Sequence, residues 1–302
     1  MKTGVIGLGN MGTEVARNLS RARLLKRIWN RTRIKAESIG SELDSSISGS
    51  IESLTRECEL IVISVSADQD LLDVINKMLP ELKNGKIVVD ISTTSVETAR
   101  IAAEMVEKRG GDFLDAPVTG GVEGARRADL VLMVGGDEMV LDQISGILDT
   151  FSRTQIYMGP SGSGQATKAV NQVMAAGINQ AVTEALAFAN ALSLDMETVI
   201  EVIKSGAAGN WFLKNRGSTL VNNDYEAGFK LELHHKDLKI CQGMALDLSE
   251  SAEVRLPLVE MTLNHYKSLM EAGMGEKDIS ALYSLKQNMF GDESSESLVE
   301  PL

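Results

Sequence analysis

The chain has 302 residues, of which 43% are hydrophobic, enough to bury a sizeable core over about two average domains. Its net charge of −12 and its lack of any long basic run exclude a nucleic-acid partner, because phosphate backbones attract basic patches. The two cysteines, Cys58 and Cys241, have the spacing of neither a disulfide framework nor a zinc site, which fits a reducing cytoplasm.

The first residues enter a strand pattern at once, and no apolar run reaches the roughly 18 residues that suggest a membrane span. A soluble, unexported, cytoplasmic protein with no membrane partner is therefore expected. From Met1 to about Gly159, short apolar runs alternate with helical periodicity, the signature of parallel strands joined by crossover helices. Buried strands are predicted at residues 4–8, 25–30, 60–65, 86–91, 113–116, 130–134 and 154–158, with helices between them at 69–79, 96–108 and 138–151. Beyond Gly164 no β-rich run remains. Apolar residues recur at helical spacing through 166–192, which predicts one long helix, and the small residues Ala169, Ala176, Gly177, Ala181 and Ala185, with Val173, suggest that it packs closely against other helices. Further helices are predicted at 196–205, 231–248, 258–272 and 277–287. The fold class is thus α/β: an N-terminal doubly wound parallel sheet (1–162), then an all-α domain (163–290) joined by the long helix, then an acidic, Ser-rich tail (291–302).

Gly7-Leu8-Gly9-Asn10-Met11-Gly12 follows the first predicted strand and opens a helix, the context that the G-x-G-x-x-G dinucleotide fingerprint of a Rossmann-type domain requires. Gly7 permits the tight turn, Gly9 lets the backbone approach a pyrophosphate, and Gly12 lets helix and strand pack closely, while the helix N-terminus presents N–H groups to the anion. The second strand ends at Asn30-Arg31-Thr32-Arg33. An NAD-selective site carries an acid here to hold the ribose 2′-OH. Asn with nearby guanidinium groups suits a 2′-phosphate instead, so NADP is the expected cofactor. Lys168 lies directly after a Gly-rich loop, Gly159-Pro-Ser-Gly-Ser-Gly164, and Asn171 follows about one helical turn later. A hydride-transferring enzyme needs a proton donor beside the carbonyl it reduces, and this pair is the candidate.

Five ordered segments resemble the β-hydroxyacid dehydrogenase family, which contains 3-hydroxyisobutyrate dehydrogenases, tartronate semialdehyde reductases and plant-type glyoxylate/succinic semialdehyde reductases. They are the fingerprint above; Asp90-Ile-Ser-Thr-Thr94; Asp115-Ala-Pro-Val-Thr-Gly-Gly-Val-Glu-Gly-Ala125; Gly162-Ser-Gly-Gln-Ala-Thr-Lys-Ala-Val-Asn171; and Lys236-Asp-Leu238. The resemblance covers nearly the whole chain. It implies a substrate-carboxylate site at Thr119, Gly120 and Gly121, where the family usually has Ser in place of Thr119. Adjacent glycines and a hydroxyl can hold an anion through N–H and O–H donors.

The resemblance further makes Lys168 the catalytic residue, with Asn171 orienting substrate or lysine. An ammonium within reach of the carbonyl oxygen stabilises and protonates it as hydride arrives; in reverse, a lysine of lowered pKa accepts the hydroxyl proton. Thr93 resembles the threonine bordering nicotinamide and substrate, although helix capping would also explain a threonine here, and Thr94 or Ser95 can equally cap. Val65 and Ser66 line the cofactor at the same sheet edge. By resemblance Lys236 contacts the cofactor, Asp237 lies near the active lysine and Phe229 closes the pocket.

Trp211 reads as core packing in preference to a pocket wall. His234 and His235 are adjacent on a helix, poor geometry for joint metal binding, and no metal is expected. The resulting expectation is NADPH-dependent reduction of a short aldehyde-carboxylate, glyoxylate or succinic semialdehyde, by a homodimer or homotetramer. A 3-hydroxyisobutyrate or tartronate semialdehyde enzyme is the alternative within the class. A non-catalytic NADP-binding scaffold is the alternative outside it, against which the retention of Lys168, Asn171 and Asp237 counts.

Overall fold

A computed structural model describes residues 1–43, 45–248 and 254–291, so the tail expected at 291–302 lies, beyond Gly291, outside the described residues. The chain divides into two compact units, Met1–Lys168 and the remainder from Ala169 onward.

The first unit is a Rossmann-like α/β domain. Its strands are β1 (Thr3–Ile6), β2 (Leu25–Trp29), β3 (Ser46–Ile47), β4 (Leu60–Ile63), β5 (Ile87–Asp90), β6 (Asp112–Asp115), β7 (Val118–Thr119), β8 (Leu130–Gly135) and β9 (Ser152–Gly159). Between them run α1 (Asn10–Arg21), α2 (Arg33–Leu43), α3 (Ile51–Glu57), α4 (Asp68–Met78), α5 (Val96–Glu107), α6 (Gly121–Arg126) and α7 (Glu138–Leu148). Among the described residues the sheet order is β3-β2-β1-β4-β5-β6-β8-β7, with β9 also on β8. Its first six strands are parallel and follow the doubly wound order, whose reversal between β1 and β4 opens a crevice at the strands' carboxyl ends.

Alternation along each strand explains why the central runs are continuously apolar. Val5, Val62, Val89 and Leu114 enter one core with Val15 and Leu19 of α1, while Ile6, Ile63, Val88 and Phe113 enter another with Leu54 of α3 and Leu71 of α4. A sheet covered on both faces needs apolar residues at every position.

Three expectations for this unit change. β8 runs antiparallel to β6 and β7, because a short apolar run carries no information about direction. β9 is a largely exposed strand paired with β8, and β2 is only partly covered; neither is a buried strand. The two-residue strands β3 and β7 have no periodicity to read.

The second unit is helical, built from most of α8 (Ser163–Ala191), then α9 (Met196–Ser205), α10 (Trp211–Val221), α11 (Leu231–Asp247), α12 (Pro257–Glu271) and α13 (Leu282–Met289). Its core joins Leu186, Leu213, Leu220, Leu238, Val259, Leu263, Tyr266 and Tyr283. The helix expected over 277–287 begins later, because Asp278 ends the preceding loop by accepting the Gly228, Phe229 and Ser280 N–H groups; a 3₁₀ turn, Ile279–Ala281, then leads into α13. On α8, Ala181 and Ala185 are exposed, whereas Ala169 and Ala176 are buried and a Cβ on Gly177 would lie 2.9 Å from Leu258 of α12; the buried face also carries Gln172, Asn179, Thr183 and Leu186. Both cysteines are buried thiols, and burial pushes Cys58 up to about 12. Among the described residues no helix is long and apolar enough to cross a membrane.

Candidate active site

The turn after β1 is shaped by what its glycines exclude. Gly7 has φ of +91°, and a Cβ there would lie 2.0 Å from the Ser64 carbonyl oxygen; a Cβ on Gly12 would lie 2.0 Å from the Gly7 carbonyl oxygen. Neither backbone atom can move aside cheaply. Gly9 differs, since a Cβ there meets nothing within 4 Å. No side chain caps α1, so its first N–H groups lack a side-chain acceptor beside that opening. A pyrophosphate fits this loop by charge and by space.

Leu8 is buried beneath the loop, while Asn10 is exposed and Met11 half-buried at the helix start. Asn30 ties the loop to the end of β2, accepting the Leu8 N–H (2.9 Å) and donating to the Thr32 carbonyl (3.0 Å). Arg31 is 81% exposed and pairs with Asp70 of α4 at 2.7 Å, whereas Arg33 pairs with Glu37 on its own helix at 2.9 Å. On the far side of the crevice, the Val65 N–H donates to Ser92 Oγ (2.8 Å), and Ser66 is exposed.

The second cluster of this unit gathers at the carboxyl ends of β5, β6 and β7 and the start of α8. Asp115, fully buried at the end of β6, accepts the Gly162 N–H (2.7 Å) and the Gln165 N–H (2.9 Å). Burial pushes its carboxyl above the usual carboxylate range, and those N–H groups pull part of the rise back. Gln165 donates to the Ser92 carbonyl (2.9 Å) and accepts the Thr94 N–H (3.1 Å), fixing the segment that carries half-buried Thr93. Ser95, not Thr93 or Thr94, is the cap of α5, accepting the Thr98 N–H (3.1 Å).

Lys168 follows on the first turns of α8. It is 7% exposed, and Nζ donates to the Val118 carbonyl at 2.9 Å. The next residues are Thr119, Gly120 and Gly121. Both glycines have positive φ, +125° and +64°, so the chain turns sharply where the carboxylate site is expected. An amine is thereby held against the segment expected to grip an anion.

In the second unit a separate chain of polar contacts links the remaining candidates. Asn171 donates to Gln172 Oε1 (2.9 Å), and Gln172 Nε2 donates to Asp237 Oδ2 (2.7 Å). Asp237 is buried and its other oxygen lies 2.8 Å from Lys236 Nζ. Phe229, half-buried, stacks at a tilt on His234, with ring centroids 5.2 Å apart.

Fully buried His234 ties this arrangement into the helical core. Its Nε2 faces the Gln172 carbonyl (3.3 Å) and must carry the proton, so Nδ1 accepts from the Tyr266 hydroxyl (3.0 Å), which accepts in turn from Asn179 Nδ2 (2.9 Å). Each donor meets an acceptor.

The structure thus brings Lys168 to Thr119–Gly121 within the first unit and Asn171 to Lys236 and Asp237 within the second. Sequence reasoning passed over Asp115, Gln165 and Gln172, although all three lie in or beside segments it singled out; a polar residue at a buried strand end or helix face was the available signal. Trp211 corrects an expectation: it is 55% exposed at the first position of α10, because Phe212 and Leu213 fill the core in its place. Among the described residues no group of three or more His, Cys, Asp or Glu is arranged to hold a metal ion.

Comparison with known proteins gives a consistent result. The family model described as the NAD binding domain of 6-phosphogluconate dehydrogenase matches residues 2–159, and that described as NAD-binding of NADP-dependent 3-hydroxyisobutyrate dehydrogenase matches residues 162–286. The chain is 33% identical to 2-hydroxy-3-oxopropionate reductase of Escherichia coli strain K12, over 93% of this chain and 96% of the relative. It is 26% identical to glyoxylate/succinic semialdehyde reductase 1 of Arabidopsis thaliana, over 93% and 97%. Among solved structures, Mycobacterium tuberculosis 3-hydroxyisobutyrate dehydrogenase with L-serine superposes with a TM-score of 0.83 at 28% identity, over 94% of this chain and 99% of the other.

Proposed function

This chain belongs to the β-hydroxyacid dehydrogenases, NAD(P)-dependent oxidoreductases acting on CH–OH groups, and from that premise we propose that it reduces a short aldehyde-carboxylate with NADPH, using Lys168 as general acid. The observation that carries the reading is the buried Lys168 amine, 2.9 Å from the Val118 carbonyl and so beside Thr119–Gly121.

A nicotinamide dinucleotide, when bound, would supply the hydride. The Gly7–Gly12 loop would hold its pyrophosphate, Asn30 keeps the loop in register with β2, and Arg31 with Thr32 would receive the 2′-phosphate in exchange for the Asp70 carboxylate. Thr119, Gly120 and Gly121 hold the substrate carboxylate through hydroxyl and N–H donors, leaving the aldehyde oxygen toward Lys168. As negative charge grows on that oxygen, the ammonium first stabilises it and then gives up a proton. In the reverse direction the neutral amine takes the hydroxyl proton. Asn171 and Asp237 orient substrate and amine, and the Gln172 bridge supports that role by fixing both; Thr93, Val65, Ser66 and Lys236 flank the cofactor, and Phe229 closes the pocket.

Glyoxylate and succinic semialdehyde remain the first substrate reading, on the Asn-Arg-Thr sequence after β2. One observation favours a second: the higher identity to 2-hydroxy-3-oxopropionate reductase, 33% against 26%, points to a hydroxylated three-carbon aldehyde acid.

The test is a steady-state panel of glyoxylate, 2-hydroxy-3-oxopropionate and succinic semialdehyde with NADPH and NADH, and of 3-hydroxyisobutyrate and L-serine in the oxidative direction. The expected result is turnover of at least one aldehyde acid with kcat/KM about tenfold higher for NADPH, the worth of one charged hydrogen bond. Absence of turnover across the panel despite NADPH binding would overturn the reading.

A further inference from the structure

Hydride transfer to a carbonyl needs its proton donor placed against two things at once, the substrate oxygen and the nicotinamide that delivers the hydride. Two contacts set the start of α8 on the segment expected to grip the carboxylate: Lys168 Nζ on the Val118 carbonyl, and the Gly162 and Gln165 N–H groups on Asp115. The fit there is close. A Cβ on Gly164 would lie 2.3 Å from the Met133 carbonyl oxygen and 2.5 Å from that of Asp115.

Gln165 makes the corresponding contact toward the cofactor. Its side chain is 1% exposed and reaches the loop after β5, where Nε2 donates to the Ser92 carbonyl (2.9 Å) and Oε1 accepts the Thr94 N–H (3.1 Å). The carboxamide thus straddles Thr93, and because its two ends meet opposite partners, one orientation alone satisfies both. Ser92 is held in turn: its Oγ accepts the Val65 N–H (2.8 Å), and its own N–H goes to Asp90 Oδ1 (3.0 Å). A line of hydrogen bonds therefore runs from the segment after β4, through the loop after β5, to the first turn of α8. Lys168 follows three residues later, about 4.5 Å along the axis and on a neighbouring part of the same face. All of these residues belong to the first unit. An aliphatic side chain would be enough to fill the space that Gln165 occupies. A carboxamide instead joins the two backbone groups that border Thr93 to the helix that carries the amine.

We infer that Gln165 is a positioning residue for hydride transfer, holding the Lys168 amine in register with the loop 92–94 that flanks the cofactor. This rests on the general-acid reading of Lys168 given above. Asp115 sets the helix against the carboxylate segment, and Gln165 sets it against the other reactant. Loss of the carboxamide frees the first turn of α8 from that loop without touching Lys168 itself or the Gly7–Gly12 turn.

The test is single-turnover oxidation of NADPH, with enzyme in excess and the best aldehyde acid, in wild-type and Lys168→Ala backgrounds. Gln165→Met removes both bonds at nearly the same volume; Gln165→Glu keeps the Thr94 bond and sets a second acceptor against the Ser92 carbonyl. In the wild-type background each is expected to slow the step about 10–100-fold, the effect of a displacement of about an ångström, with the NADPH dissociation constant unchanged. In Lys168→Ala the same substitutions are expected to add little, because no amine remains to be displaced and residues that act as a unit lose rate non-additively.

Equal fold losses in the two backgrounds would overturn the role of Gln165, since a merely structural residue slows both alike. Full activity of both variants, or failure of both to fold by circular dichroism, would overturn it too. An unaltered rate in Lys168→Ala itself is a different failure, which would overturn the general-acid reading and this role with it.

Discussion

The two units solve the problem of fixing a functional side chain in different ways. In the first, position comes from backbone space: the sheet is sealed by aliphatic side chains on both faces, and the turns at its carboxyl end are held by glycines and by one buried carboxylate, Asp115, that gathers N–H groups. In the second, position comes from side-chain hydrogen bonds inside the helical core, where Gln172, Asn179, His234 and Tyr266 bond in one direction-matched chain. A backbone-built site fails when atoms are added. A network-built one fails when a single donor or acceptor is lost.

Adding one methyl group gives the sharpest contrast. Gly12→Ala drives Cβ into the Gly7 carbonyl and is expected to cost about 3 kcal/mol of stability along with cofactor binding, measured by urea denaturation and NADPH fluorescence titration. Gly9→Ala meets no protein atom, so stability should hold while NADPH binding weakens; equal binding by both proteins would remove the pyrophosphate from this loop. Next in size is Asp115→Ala, which strands the Gly162 and Gln165 N–H groups in a buried setting, at about 2–4 kcal/mol by urea denaturation. Tyr266→Phe breaks the second unit's chain at its middle and is expected to cost about 1–3 kcal/mol, with kcat falling more than KM rises. A variant as stable as the wild type would show that the network is not what holds Gln172.

Acid separates the units by sign. Burial, then Lys286, holds the His265 imidazole below its ordinary 6.5, so its folded pKa is depressed. The stability that this contributes is present above pH 6.5 and is lost as pH falls through the folded value. Asp115 is raised, so its contribution is present below the ordinary 3.8 and is lost as pH rises. Mild acidification should therefore weaken the helical unit first. The urea midpoint is expected to fall below pH 6.5, and less steeply in His265→Gln; identical slopes would clear His265 of the effect.

The same contrast decides what could be read from the chain. Runs such as Leu60–Ile63 and Ile87–Asp90 declare strands covered on both faces, and the turn after β1 declares itself through glycines that nothing else can replace. Direction is absent from such a run, which is why β8 was expected to be parallel. Small residues on α8 read as packing, yet Ala181 and Ala185 are exposed; small side chains permit close approach on any face of a helix and do not say which face meets a neighbour. Trp211 misled in the same way, since size alone suggested burial. The residues that hold the candidate site, Gln165, Gln172, His234 and Tyr266, are ordinary helix residues until their partners, tens of residues away in sequence, are brought to them.

Lys168 is where the account is most exposed. The direct measurement is the rate of NADPH oxidation by Lys168→Ala with the best aldehyde acid, set beside the dissociation constant of NADPH for the same protein. A general acid held beside the carboxylate segment predicts a fall in kcat of about 10²–10⁴-fold with cofactor affinity unchanged. An unchanged kcat would contradict it.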